Sequence, residues 1–190
     1  GRTVLANIRK MVVYLLGTSG GEVLTMLAAL LLNIPLPITA VMVLWVNLVT
    51  DGVSVIPLGL SQSENHQMKQ TPTDPKAPLL DKVHLSRAIV LSVTMATTVL
   101  IMFKLHLPKG IAYAQTIAFL SLIVIQWANA LNINFEHHSW LHNFVRPNWK
   151  LLAAIGGSIA INIALFCTPL RTYFSLEALT MADALKATLI

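Results

Sequence analysis

Two acidic residues, Glu22 and Asp51, lie inside stretches of sequence that are otherwise apolar. Glu22 falls within the run from Met11 to Leu32, and Asp51 follows the apolar run from Val41 to Val46. A charged side chain at the centre of a membrane helix costs about 2.5–3.5 kcal/mol on insertion scales. Two of them therefore cost roughly 5–7 kcal/mol, which a bound cation or a proton would offset.

The composition places the chain in the membrane class. Of its 190 residues, 55% are hydrophobic and only 11% are charged, whereas about a quarter of the residues in a soluble domain are charged. The net charge of +5 does not indicate a nucleic-acid partner, because the basic residues cluster between apolar runs, where they set membrane topology. Cys167 is the only cysteine, so no disulfide can form within the chain.

The apolar runs predict an all-α fold, a polytopic transmembrane bundle of about six helices. The runs lie at about residues 4–32, 38–60, 88–103, 111–131, 151–166 and 179–190. The first five have, or approach, the ~20 residues that cross a bilayer, and the last is expected to be truncated. Because no Met precedes Gly1 and the last run is short, we expect the sequence to be a piece of a longer protein.

Basic residues predict the orientation of the bundle. Alternating crossings put the N-terminus and the loops 61–87 and 132–150 on the same side of the membrane. That side holds Arg2, Arg9, Lys10, Lys69, Lys76, Lys82, Arg87, Arg146 and Lys150. The excess of positive charge predicts that this side, with the N-terminus of the chain, is cytoplasmic.

Oxygen-bearing side chains accompany the two acids. Asn47, Thr50 and Asp51 stand at i, i+3 and i+4, which is one face of a helix. Ser19 and Glu22 stand at i and i+3 in the preceding run, and a short turn makes the two runs antiparallel neighbours. The oxygens are therefore expected to face each other. Oxygen ligands suit a hard cation, and the lack of Cys and His here argues against zinc or copper.

Two stretches near the acids predict local backbone features. Gly20-Gly21 would allow a close helix approach or a local loosening of the backbone. Gly52 and Pro57 would let the second helix unwind after Asp51, which would free carbonyl oxygens as further ligands.

Other polar residues leave alternatives open. Gln126 and Asn129, at i and i+3 of the fourth run, would add a neutral oxygen to the same cluster or form hydrogen bonds between helices. The second alternative also applies to the two acids, but it does not account for the oxygens around them. A group of loop histidines is interpreted as solvated rather than metal-binding: His137, His138 and His142. No glycine-rich phosphate loop or catalytic triad is present, so no catalytic residue is predicted.

The string from Leu44 to Gly52, Leu-Trp-Val-Asn-Leu-Val-Thr-Asp-Gly, resembles the sixth transmembrane helix of P-type calcium ATPases. Gly21-Glu22-Val23 resembles part of the fifth helix, and Asn129-Ala-Leu-Asn132 fits the eighth. The resemblance extends over nearly the whole chain, residues 1–190. It implies the C-terminal transmembrane domain of such a pump, from the fifth helix into the tenth.

The resemblance also implies a ligand set. Asn47, Thr50 and Asp51 match calcium ligands of the sixth helix, and Glu22 matches the glutamate of the fifth.

Two positions depart from the family's pattern. Ser19 stands where two-site pumps have an asparagine, and Gln126 stands where they have a glutamate. Both changes weaken one ion site, so we expect fewer than two tightly bound calcium ions per cycle.

The implied function is the cation-binding half of an ATP-driven pump that exports Ca²⁺ from the cytoplasm with proton counter-transport. Domains that bind ATP and Mg²⁺, a phosphorylated aspartate and further helices are expected to precede Gly1, so the implied partners are the lipid bilayer and these parts of the same pump. The alternatives are a pump for Mn²⁺ or Na⁺, an ATP-independent channel or secondary carrier, and a non-transporting membrane protein. The last leaves the buried acids unexplained.

Overall fold

The computed structural model describes residues 2–59, 80–134, 149–174 and 176–177. Within these ranges the chain is helical and contains no strand, which confirms the predicted all-α bundle. The helices are α1 (Arg2–Leu31), α2 (Ala40–Trp45), a π-helical segment (Val46–Asp51), α3 (Gly52–Gly59), α4 (Lys82–His106), α5 (Ile111–Asn134) and α6 (Trp149–Cys167). The sixth predicted run, residues 179–190, and the loop histidines lie outside the described residues.

Five helical stretches among the described residues are long and apolar enough to cross a membrane. They are Val4–Leu31, Ala40–Gly59, Lys82–Lys109, Ile111–Ile133 and Trp149–Cys167. The second span thus consists of α2, the π-helical segment and α3.

The third span begins at Lys82, earlier than the apolar run at residue 88 predicted. Asp81 caps α4, because its Oδ1 accepts a hydrogen bond from the backbone N–H of His84 at 3.0 Å. This backbone hydrogen bond, with a second one from the ring of His84, holds the pKa of the Asp81 carboxyl below its ordinary value. The cap allows the helix to start in a polar stretch that hydropathy alone does not mark.

The predicted short turn between the first two spans is present. Asn33 follows α1 in the left-handed conformation, with φ of 51°, which Asn tolerates better than most residues. Thr39 then caps α2, because its Oγ1 accepts from the backbone N–H of Met42 at 3.3 Å. The chain therefore reverses direction within a few residues.

Glycines on α1 allow it to pack closely against α4, its most extensive neighbour. A Cβ on Gly21 would lie 2.7 Å from Sδ of Met95, and the hydroxyl of Ser92 donates to the carbonyl oxygen of Gly17 at 2.9 Å. The close approach predicted at Gly20-Gly21 is therefore present. Its partner is the third span, α4.

Two large apolar clusters fill the interior of the bundle. One includes Met42, Val46, Met95, Phe103, Phe119 and Leu122, and the other includes Val13, Tyr14, Leu58, Ala130 and Leu151. Along α1, the second span and α5, the residues between these clusters are polar and buried: Thr18, Glu22, Thr50, Asp51, Ser54 and Gln126. The fold thus places a polar layer between two apolar ones, at the middle of three spans.

Candidate cation site

The second span departs from α-helical geometry where the acidic residue lies. Val46–Asp51 is π-helical, and the N–H of Gly52 donates to the carbonyl oxygen of Asn47, five residues earlier. The predicted unwinding after Asp51 is wrong in position, because α3 continues as a helix from Gly52 through Pro57. Proline is tolerated in a membrane helix where neighbours and local adjustments satisfy the freed carbonyl. Segments of π-helix recur at functional sites, because they change the direction in which side chains project.

Asp51 is buried, with 1% of its surface exposed, and both of its oxygens accept hydrogen bonds from α1. The hydroxyl of Tyr14 donates to Oδ1 at 2.8 Å, and the hydroxyl of Thr18 donates to Oδ2 at 2.9 Å. Tyr14 and Thr18 are one helical turn apart. Neither was in the predicted ligand set, although Thr18 precedes Glu22 by one turn.

Glu22 is 4% exposed and connects three spans. Its Oε2 accepts from Nδ2 of Asn47 at 2.9 Å, and its Oε1 accepts from Nε2 of Gln126 at 3.1 Å. The side chain of α1 thus meets one amide from the π-helical segment and one from α5. Together with Asp51, all four carboxylate oxygens have a donor.

The two acids face the same space between helices. Glu22 lies one turn after Thr18 on α1, and Asp51 lies about one turn after Asn47 on the second span. Because Thr18 contacts Asp51 while Asn47 contacts Glu22, the two pairs cross-connect the same two spans. The acids therefore belong to a single polar cluster.

Several buried polar atoms in this layer or one helical turn from it have no hydrogen-bond partner among the described residues. They are Oγ1 of Thr50, Oγ of Ser54, Oε1 of Gln126 and Nδ2 of Asn129. An unsatisfied buried polar group costs about 1–3 kcal/mol. Three of the four atoms are oxygens. Together with the two carboxylates they form a set of oxygen ligands that fits a hard cation. The layer thus has unused capacity to bind a positive charge.

The predicted residues differ in where the structure puts them. Glu22, Asn47, Asp51 and Gln126 are joined by the contacts above, and Thr50 is buried directly before Asp51. Ser19 does not join the group, because its side chain is exposed on α1 and Thr18 occupies the inward position instead.

A ligand set made only of acidic, His and Cys side chains is absent from the described part of the chain. No group of three or more such residues is close enough there to hold a metal ion. Any cation in this layer therefore depends on amide and hydroxyl oxygens as well as on the two acids.

Comparisons with a family model and with curated proteins point to the same family. Residues 35–190 match the family model described as cation transporting ATPase, C-terminus. The chain is 34% identical over 187 residues to a calcium-transporting ATPase of Bacillus subtilis, an alignment that covers 96% of the chain and 21% of that relative. It is 32% identical over 143 residues to a cation-transporting ATPase of Synechocystis sp., covering 74% of the chain and 16% of the relative.

A further relative is named as a transporter of a different ion. The chain is 37% identical over 82 residues to a P-type sodium-transporting ATPase of Plasmodium falciparum, covering 43% of the chain and 6% of that protein. The chain thus spans about a fifth, or less, of the length of these curated relatives.

Proposed function

Because its match over residues 35–190 shows that the chain belongs to the family of cation-transporting ATPase C-terminal regions, we propose that it forms the cation-binding membrane half of an ATP-driven P-type pump. With five apolar helices among its described residues and this family, the chain is an integral, multi-pass membrane protein. Residues 1–190 would form one transmembrane domain, with the N-terminus of the chain on the cytoplasmic side. The observation that carries the proposal is the buried cluster around Glu22 and Asp51.

The proposed cargo is Ca²⁺. Two carboxylates carry two negative charges, which match one divalent ion, and Ca²⁺ takes 6–8 oxygen ligands in flexible geometry. Glu22 and Asp51 would supply the charge, and Asn47, Thr50 and Gln126 the neutral oxygens. The relative from Bacillus subtilis is named a calcium-transporting ATPase, which supports the same ion. With Gln126 neutral and Ser19 outside the cluster, we propose fewer than two tightly bound ions.

Binding would require two amides to rotate. Asn47 and Gln126 donate N–H groups to Glu22, and a cation needs their oxygens instead. Turning each amide would direct its oxygen toward the ion and release the carboxylate of Glu22 as a ligand. The hydroxyls of Tyr14 and Thr18 would keep Asp51 oriented while this occurs.

Protons are the proposed counter-ions. Keeping two uncompensated carboxylates buried costs far more than keeping neutral acids there, so the acids would carry protons once the cation has left. The steps that bind ATP and Mg²⁺ and form a phosphorylated aspartate would belong to the remainder of the same pump. Besides those parts, the proposed partner is the lipid bilayer.

Ion-stimulated ATP hydrolysis by the full-length pump tests the function. We expect stimulation by Ca²⁺, and we expect Asp51→Asn to raise the half-maximal Ca²⁺ concentration by about tenfold or more, because that variant removes half of the site's charge. Stimulation by Na⁺ alone would contradict the calcium assignment. Ion flux without any ATP hydrolysis would favour a channel or secondary carrier.

Two other ions are second candidates. Mn²⁺ shares the preference for oxygen ligands, so ligand chemistry separates it poorly from Ca²⁺. Na⁺ is favoured by the Plasmodium falciparum relative, but two carboxylates would leave it with a surplus negative charge. The half-maximal concentrations of the three ions in the same ATPase assay decide among them.

Sealed vesicles test the proton step. With the cytoplasmic face outward, the vesicle lumen should become alkaline while calcium accumulates, and a protonophore should remove this change. A constant luminal pH during calcium uptake would contradict proton counter-transport.

A further inference from the structure

Two buried polar side chains lie on one face of α6. Ser158 and Asn162 are one helical turn apart and are 0% and 3% exposed, whereas the other buried residues of this helix are Leu151, Ile155 and Leu165. At membrane depth, polar groups need partners within the protein. Here those partners come from two other spans.

The two residues accept hydrogen bonds from two tryptophans. Nε1 of Trp45 donates to Oδ1 of Asn162 at 3.1 Å, and Nε1 of Trp127 donates to Oγ of Ser158 at 3.2 Å. Nδ2 of Asn162 donates to the carbonyl oxygen of Ser158 at 2.8 Å, which connects the two acceptors. We call Trp45, Asn162, Ser158 and Trp127 the indole clamp; it joins the second, fifth and fourth spans.

Both tryptophans adjoin residues of the candidate cation site. Trp45 is the last residue of α2, directly before the π-helical segment and two residues before Asn47. Trp127 directly follows Gln126, whose amide reaches Glu22 at 3.1 Å. Because successive residues of a helix project about 100° apart, an anchored indole fixes the direction of its neighbour's side chain.

The geometry of the π-helical segment determines how Asn47 and Asp51 are aligned. An α-helix and a π-helix differ by one residue in their hydrogen-bond register, so a return to the α register would rotate Asn47 relative to Asp51. Trp45 is held on two sides: by Asn162, and by an edge-on contact with Phe174 at 5.3 Å between ring centroids.

We propose that Ser158 and Asn162 are positioning residues for the cation site. In this proposal, which rests on the proposed function, α6 supplies no ligand and instead fixes the rotation of two of the three spans that do, the second span and α5. Loss of the clamp should therefore weaken cation binding while leaving the catalytic turnover of the loaded pump intact. This assigns a role in ion affinity to a helix outside the ligand set.

Cation-dependent ATP hydrolysis by the full-length pump tests the proposal. Asn162→Leu removes the acceptor for Trp45, and Trp45→Phe removes the donor while keeping a ring against Phe174. Each should raise the half-maximal calcium concentration by about 3-fold to 20-fold, the range that interhelical hydrogen bonds contribute in a membrane protein. The maximal rate at saturating calcium should stay at the wild-type level.

The matched control is Thr97→Val, which also removes a polar group from a membrane span. The Thr97 side chain is exposed and donates to the carbonyl oxygen of Val93 on its own helix at 2.7 Å. This variant should keep the wild-type half-maximal concentration. An equal shift in the control and in Asn162→Leu would overturn the positioning role.

A double variant shows whether Trp45 and Asn162 affect calcium affinity through their shared hydrogen bond or independently of each other. If Trp45 and Asn162 act through their hydrogen bond, Trp45→Phe with Asn162→Leu should be no weaker in calcium affinity than the weaker single variant. Additive losses would overturn the pairing. Should Asn162→Leu fail to accumulate, Ser158→Ala and Trp127→Phe make the same test at the other end of the clamp.

The outcome also distinguishes this inference from the proposed function. A wild-type pump without cation-stimulated hydrolysis would overturn the proposed function itself. Normal stimulation of the wild type, with unchanged half-maximal concentrations in all clamp variants, would overturn only the positioning role.

Discussion

Replacing Glu22 with glutamine removes one of the two charges of the candidate site and keeps the size of the side chain. The carboxylate accepts from Asn47 at 2.9 Å and from Gln126 at 3.1 Å. A glutamine has a single acceptor oxygen, so one of the two amides would face another NH₂ group. The substitution therefore removes a charge and also disturbs the amides that are proposed to turn toward the ion.

The magnitude follows from what a charged contact contributes. Hydrogen bonds to ionised groups are worth about 1.5–3 kcal/mol. At about 1.36 kcal/mol per tenfold change, Glu22→Gln should raise the half-maximal calcium concentration of the full-length pump by about 10-fold to 150-fold. The sign is a loss of affinity, because the calcium-bound state loses a negative ligand that water cannot replace in a buried layer.

The assay is calcium-dependent ATP hydrolysis over a range of free calcium concentrations. Glu177→Gln is the matched control, since it makes the same chemical change at an exposed side chain beyond the fifth span. The control should retain the wild-type half-maximal concentration. Wild-type calcium affinity in Glu22→Gln would refute the assignment of Glu22 to the cation site.

Three further predictions concern packing, charge and capping in the full-length protein. Gly21→Ala should lower the free energy of unfolding by about 1–3 kcal/mol, because its Cβ would collide with Met95, whereas Gly157→Ala, which faces open space, should change it by less than about 1 kcal/mol; equal thermal shifts in detergent would contradict this. Gln126→Glu should raise the preference for Ca²⁺ over Na⁺ by about tenfold or more, since a divalent ion gains twice the Coulomb energy from a third carboxylate; an unchanged ratio of half-maximal concentrations would be the contrary result. Asp81→Ala should speed hydrogen exchange in the first turn of α4 while Asp81→Asn does not, because asparagine also caps. Since the pKa of Asp81 is lowered in the folded state, its cap is complete above the ordinary pKa and is lost as pH falls through the lowered value, and the asparagine variant should lack this pH dependence.

The helical bundle could be predicted from the sequence because apolar runs near 20 residues have few other stable structures. The meeting of Glu22 and Asn47 could be predicted as well. A short turn makes their spans neighbours, and helical spacing puts Asn47 on the face of Asp51. These are local rules, and they do not depend on the rest of the bundle.

The inward choice of Thr18 over Ser19 could not be predicted from spacing. The two residues are adjacent, and the rotation of α1 decides which one faces Asp51. That rotation follows from close packing of Gly17 and Gly21 against α4, a contact between spans far apart in sequence. The glycines could be read from the sequence, but the sequence did not show that they pack against α4.

The π-helical register was also outside sequence reasoning. Gly52 and Pro57 suggested a weak point, and the structure has its irregular segment on the other side of Gly52. The start of α4, in contrast, could have been predicted from the sequence. Asp81 is a recognisable capping residue, and it would have moved the predicted start of the third span from residue 88 to Lys82. The indole clamp could not be predicted from the sequence, because Trp45 and Trp127 are typical packing residues and their acceptors on α6 lie more than 30 positions away.

Equilibrium binding of radioactive calcium to the purified full-length pump, wild type beside Asp51→Asn, tests the central claim most directly. If carboxylates of the first two spans hold the ion, the wild type should bind calcium at fewer than two ions per molecule, and the variant should need at least about tenfold more free calcium for half-saturation. Calcium binding of equal affinity and stoichiometry in both proteins would contradict it.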